Sequence, residues 1–196
     1  NEQIQILGGI LMQIRIDLKA VNESESFEDL QKLNAKYELF DKAELVKCKT
    51  SKQLQDLIRR PIRVCGMVKN IGQPGGGPFF VNSNGKITKQ IVEKAQISND
   101  QNRLMIQSSH FNPVLIAACF KDFSGKKYDL NDFIDENAYF KVEKDQLGKK
   151  VKFIERPGLW NGGMANWNTV FVEIPSNVFS PVKTVFDLLE KAHLSV

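Results

Sequence analysis

Three observations predict an α/β fold, a helical first third followed by a mixed sheet. Apolar residues recur at helical spacing up to Pro61, the pattern turns to alternation after it, and a QLGK turn separates two alternating runs. We divide the chain accordingly, with residues 1–60 as a helical segment and 61–196 as the sheet-bearing part. A chain of 196 residues has length enough for one substantial core.

The elements follow in order. Ile4, Leu7, Leu11, Ile14, Leu18 and Val21 mark the buried stripe of a first helix. No cap precedes it, so the helix is expected to begin upstream of Asn1 in a longer protein. Its apolar run, ILGGILM, is far shorter than the roughly 20 residues of a membrane span, and no signal peptide is recognisable. Ser26 opens SFEDL, a capping-box pattern with Asp29 in the usual glutamate place, and Leu30, Leu33, Tyr37 and Phe40 continue one face. Leu54, Leu57 and Ile58 give a third, short helix that ends before Pro61. Strands are expected at IRVCGMVKN, PFFVN, KITKQIVEKA, PVLIAACF, YFKVEK, KVKFIER and TVFVEIP. The QLGK turn makes the fifth and sixth an antiparallel pair.

Composition bounds the function. A net charge of +4 is too mild to indicate a nucleic-acid binder by itself, and it suits a small anionic ligand equally well. The run RRPIRVCGMVKN is basic, but the remaining cations are dispersed, which argues against RNA. Cys48, Cys65 and Cys119 are few, odd in number and widely spaced, indicating neither a disulfide framework nor a zinc site; a reducing, cytoplasmic setting is the default. HExxH, CxxC and GxSxG motifs do not occur.

Five segments carry candidate chemistry. Gly75, Gly76 and Gly77 stand between Pro74 and Pro78. They either present bare backbone N–H groups to a ligand or serve a tight connection at positive φ. The segment RPGLWNGGMANWNTVFVEIP interleaves Trp160 and Trp167 with Asn161, Asn166 and Asn168. Flat aromatic faces with amides suit sugar hydroxyls, and they equally suit a plug at the end of the sheet. SSHFNP places His110 and Asn112 before an apolar strand, and Glu93 in QIVEKAQIS alternates with Ile91. Finally, in FSPVKTVFDLL, Pro181 pre-sets a first helical turn, Thr184 can cap it, and Lys183 emerges near its N-terminus, where anions are favoured. The other reading is an amphipathic closing helix with Val182, Val185, Phe186, Leu188 and Leu189 as core.

These segments together resemble a known family. FSPVKTVFDLL is similar to the F-x-P-V-K-T-x-x-D-L signature of the UDP-glucose and UDP-sugar pyrophosphorylases, IVEKAQIS to their V-E-x-x-Q/E segment, and HFNP to their F-N segment, in the same order. The stretch from Pro61 to Leu189 more closely resembles an uncharacterised bacterial domain-of-unknown-function family related to those enzymes. The resemblance implies a glycosyltransferase-A-like nucleotidyltransferase fold with a mixed sheet, and a sugar 1-phosphate or nucleotide sugar as ligand. It implies that Lys183 neutralises phosphate charge, with Thr184 beside it. Glu93, Asn112 and His110 line the sugar, Gly75–Gly77 approach the sugar or its phosphate, and Trp160, Asn161 and Asn168 shape the pocket. Magnesium is expected for the complete enzyme, with ligands mostly outside this chain. The glycine-rich triphosphate loop and magnesium-binding aspartate of those enzymes are not among these residues. The chain is therefore expected to be the sugar-side, C-terminal portion, inactive alone and completed by the N-terminal half of the same protein. A non-catalytic nucleotide-sugar sensor or scaffold is the alternative.

Overall fold

The first helix, α1 (Glu2–Ser24), lies along one face of a three-stranded sheet and supplies most of the core on that side. The computed structural model describes residues 2–72, 75–83, 85–182 and 184–194. Leu7, Leu11, Ile14, Leu18 and Val21 of α1 are buried, whereas Ile4, at the start of the expected stripe, is half exposed. Helix α2 (Phe27–Tyr37) begins where SFEDL predicts, and the Asp29 N–H donates to Ser26 Oγ at 3.2 Å. The reciprocal half of the box is absent: the Asp29 carboxylate accepts from Ser24 Oγ at 2.9 Å instead. Helix α3 (Lys42–Lys47) is an addition to the sequence reading, closed by a full capping box between Asp41 and Glu44. Helix α4 (Ser51–Ile58) buries Leu54, Leu57 and Ile58 as expected.

The seven expected strands form. β1 (Ile62–Lys69), β4 (His110–Cys119) and β7 (Asn168–Glu173) make the sheet in the order β4-β1-β7. β1 is antiparallel to β4 and parallel to β7. β2 (Gly77–Ser83) pairs only with β3 (Lys86–Val92), and β5 (Phe140–Gln146) only with β6 (Lys149–Glu155), each antiparallel. The expected mixed sheet is thus one mixed three-stranded sheet with two separate hairpins. The QLGK turn closes the second hairpin, with Leu147 and Gly148 both at positive φ. A one-turn helix, α5 (Asn102–Ile106), precedes β4.

β1 is buried on both faces, as befits a strand flanked on either edge. Ile62, Val64 and Val68 join the core under α1. A Cβ on Gly66 would stand 3.0 Å from Leu7 Cδ1 and 2.9 Å from Ile174 Cδ1, so the glycine permits the close approach of α1 to the sheet. Arg63, Cys65 and Met67 point to the opposite face, where Cys65 and Met67 meet Ile91, Ile116 and Phe171 in a smaller core.

The expected closing helix is a short 3₁₀ turn, Val185–Leu189. Thr184 donates to Asp187 Oδ2 through both its backbone N–H (2.6 Å) and its hydroxyl (3.2 Å), which turns the chain tightly at its start. Val182, Val185, Phe186, Leu188 and Leu189 are exposed and take no place in the core, which corrects the amphipathic-helix expectation. A five-residue 3₁₀ turn also sums fewer peptide dipoles than the closing helix of the sequence reading would. Lys183 lies outside the described residues.

Candidate functional site

The site is built where the glycine run, the end of β3 and the start of β4 meet. Gly76 and Gly77 are buried, and none of Gly75–Gly77 has a positive φ, so their need for glycine is one of space. A Cβ on Gly76 would collide with the Val92 carbonyl oxygen, and it would lie 2.6 Å from Asn112 Oδ1 and 2.8 Å from Glu93 Cα. On Gly75 it would enter the Phe111 ring, and on Gly77 it would stand 2.6 Å from the His110 carbonyl oxygen and 2.9 Å from Ser108 Oγ. The three glycines are therefore pressed against both IVEKAQIS and HFNP.

Glu93 follows β3 and opens a 3₁₀ turn in which Gln96 Oε1 accepts from its N–H at 2.8 Å. Asn112 sits in β4. Its Nδ2 donates to both oxygens of the Glu93 carboxylate, at 3.0 and 3.1 Å, while its Oδ1 is buried without a hydrogen-bond partner among the described residues. Burial pushes the Glu93 carboxyl above its ordinary value; the Asn112 amide pulls it down, and the charge of Glu155 pushes it up further. A half-buried carboxylate in such a place is a strong acceptor of a hydroxyl proton. Phe111 carries the contact onward, since its ring centroid lies 5.5 Å from that of Phe179, the first residue of FSPVKTVFDLL. Fold contacts thus link the glycine run, IVEKAQIS, HFNP and FSPVKTVFDLL.

His110 lies at the same end of the sheet, opposite Lys69. Its Nε2 is 3.0 Å from Glu173 Oε2 and its Nδ1 2.8 Å from Ser109 Oγ, and Lys69 Nζ is 3.5 Å from Glu173 Oε1. This row ties β4, β1 and β7 together. The hydrogen bond from His110, helped by Lys69, holds the Glu173 carboxyl below its ordinary value.

Within the tryptophan segment, Asn161 Oδ1 accepts from the N–H groups of Gly158 (2.9 Å) and Gly163 (2.8 Å), and its Nδ2 donates to the Arg156 carbonyl. Asn168 is buried in β7 and donates to the Leu57 carbonyl at 3.1 Å. Both side chains hold the fold in place. Trp160 is exposed, and Trp167 is buried edge-to-face with Phe120. One tryptophan thus plugs the sheet end, while the other stays in solvent. Thr184 is exposed and spends its hydroxyl on Asp187.

Among the described residues, no group of three or more His, Cys, Asp or Glu side chains is placed to hold a metal ion. Glu93 provides a single carboxylate already bonded to Asn112, which does not fit a magnesium site by itself. No helix among the described residues is long and apolar enough to cross a membrane.

The family described as Domain of unknown function (DUF4301) matches residues 2–194. The chain belongs to the DUF4301 family. The match covers the helical first third as well as the sheet, more of the chain than the Pro61–Leu189 stretch that carries the sequence resemblance. No characterised protein and no solved structure matches this DUF4301 chain.

A second cluster, not singled out in the sequence, lies on the face of β1 turned away from α1. Arg63 is fully buried, its Nε donating to Thr169 Oγ1 at 3.0 Å and its Nη1 to the carbonyls of Leu159 (2.6 Å) and Asn161 (3.3 Å). The visible signal was an arginine inside the apolar run IRVCGMV, a costly placement that asks for an explanation.

Proposed function

We propose that this chain is the sugar-phosphate-side portion of a sugar-1-phosphate nucleotidyltransferase, inactive alone, acting with the N-terminal half of the same protein. In that reaction an oxygen of the sugar 1-phosphate attacks the α-phosphorus of a nucleoside triphosphate. The bond from that phosphorus to the bridging oxygen breaks, giving the nucleotide sugar and pyrophosphate. Alignment and charge stabilisation dominate such chemistry, and magnesium would accompany the triphosphate.

One observation carries the reading: the glycine run, Glu93 and Asn112 share one seat, with a half-buried carboxylate and an unpartnered amide oxygen packed against the glycines. Glu93 and Asn112 Oδ1 would accept from sugar hydroxyls, and the glycines would let the sugar or its phosphate approach the backbone. Lys183 would neutralise phosphate charge.

The test is a pyrophosphate-release assay of the full-length protein with sugar 1-phosphates and several nucleoside triphosphates, run beside Glu93→Gln and Lys183→Ala. Loss of one charge-assisted hydrogen bond predicts a fall in kcat/KM of ~10–100-fold for Glu93→Gln. Parent-like turnover in both variants would sink the reading. Saturable binding of nucleotide sugar without turnover by any pair would establish the sensor or scaffold in its place.

A further inference from the structure

The β5–β6 hairpin contributes almost nothing to the core. β6 is exposed at every position, and in β5 only Phe140, at the base, is buried. With so little packing to satisfy, the residues along this ribbon are free to meet a partner. Their charge is lopsided. Residues 141–152 hold five lysines against two carboxylates, Glu143 and Asp145, a net +3 in a chain whose whole charge is +4. Glu143 is shared between Lys150 (3.5 Å) and Lys152 (3.4 Å), pairs that are open to solvent and weak, while Asp145 accepts from the Gly148 N–H at 2.8 Å.

The tip of the ribbon is apolar. Leu147 is almost wholly exposed and holds φ at 55°, a left-handed conformation that glycine or asparagine adopts more cheaply. Leucine is therefore unfavourable there twice, in backbone strain and in apolar surface left in water, and at that exposure no contact within the chain offsets either. Behind the tip the strand register fixes an order. Lys149 stands in the first row opposite Gln146, Lys150 in the second opposite Asp145, Lys144 in the third opposite Val151, and Lys152 in the fourth opposite Glu143. At ~3.4 Å per row, these cations all lie within about 14 Å of the tip.

We propose that the β5–β6 hairpin docks reversibly on an anionic membrane surface, with Leu147 entering the leaflet and Lys144, Lys149, Lys150 and Lys152 meeting lipid phosphates. An apolar tip followed by cations repeats the order of depth in such a leaflet, where acyl chains lie beneath the phosphates and long lysine stems can reach back to them. A leaflet asks only for that order, and not for a shaped complement to exposed, flexible lysines. Nucleic acid fits the ribbon less well. It has no apolar recess for an aliphatic tip, and Lys144 Nζ, 5.1 Å from the Phe153 ring centroid, already occupies a face on which a base would stack. Each lysine near an anionic surface strengthens binding about fivefold, so the contact is modest and weakens as salt is raised.

Flotation of the full-length protein with vesicles of phosphatidylcholine alone, and with vesicles of equal parts phosphatidylcholine and phosphatidylglycerol, tests the docking. Binding to the anionic vesicles only is expected. Lys149→Gln, Lys150→Gln and Lys152→Gln together should weaken it by ~tenfold or more, and Leu147→Asn by ~threefold or more. All four positions are exposed, so circular dichroism of both variants should match the parent, and Leu147→Asn should melt no lower than the parent, which separates lost docking from lost folding. The inference is overturned by absence of binding to the anionic vesicles, by equal binding to both kinds, or by parent-like binding in either variant. It is overturned in favour of nucleic acid if a single-stranded oligouridylate releases the protein from the vesicles and Leu147→Asn keeps full affinity for that oligonucleotide.

Discussion

At the scale of single residues, Glu93 is held charged at a cost. Its carboxyl is raised above the ordinary value of 4.5 by burial, so the folded chain binds that proton more tightly than the unfolded chain does. Stability from this group is therefore greatest below 4.5 and declines as pH rises through the folded value. Replacing Glu93 by Gln, which keeps an oxygen for the Asn112 amide, is expected to flatten that part of the profile. Urea melts of both proteins from pH 4 to 7 check it; an unchanged slope would contradict the raised value. Such a residue was legible in the sequence only as a position. Its alternation with Ile91 placed it near the end of a strand, but burial depends on Gly76 and Asn112, which approach it from elsewhere in the chain. Arg63 shows the same limit from the other side, since an apolar neighbourhood reveals that an arginine is buried without revealing what it meets.

Elements were easier to read than their ends. The seven strands follow from period-two alternation bounded by glycine, proline and asparagine, a signal intrinsic to each segment. Helix α3 escaped because six residues make too short a window for periodicity, although its D-x-x-E cap was present in the sequence. The closing segment misled for a tertiary reason: its helical spacing of apolar residues needs a facing surface, and in the described structure none covers it. At the β5–β6 turn, Leu147 adopts φ of 55° and is 98% exposed, a left-handed conformation for a residue that gains nothing by burial there. Leu147→Asn, which creates an Asn-Gly turn, is expected to stabilise the protein by about 1 kcal/mol. Thermal unfolding measures the gain, and a lower midpoint would count against the turn geometry.

For the whole molecule, Glu44 is the joint between the helical and sheet-bearing parts. It completes the α3 cap, accepts from Arg60 at the end of α4, and pairs with Lys86 at the start of β3. Burial opposes its charge, but Arg60 and Lys86 prevail and hold the carboxyl below its ordinary value, so its contribution is present above 4.5 and lost as pH falls below that. Glu44→Gln should cost about 2 kcal/mol at pH 7, as two charge-assisted bonds weaken, and much less at pH 3, where the parent has also lost the charge. Denaturant melts at the two pH values provide the comparison, and an equal loss at both would remove charge from the explanation. This joint was invisible in the sequence, where its three members stand in three different elements.

The position of β1 has a consequence for how the chain is made. Its neighbour on one edge, β4, leaves the ribosome well before its neighbour on the other, β7, because the whole stretch from Cys119 to Asn168 is synthesised between them. At ~5–20 residues per second, the most fully buried strand of the protein spends seconds with one row of backbone donors and acceptors open to any other strand. The nascent chain is most vulnerable to mispairing in that interval, and arrival of β7 ends it by closing the sheet in parallel register from Asn168 to Glu173.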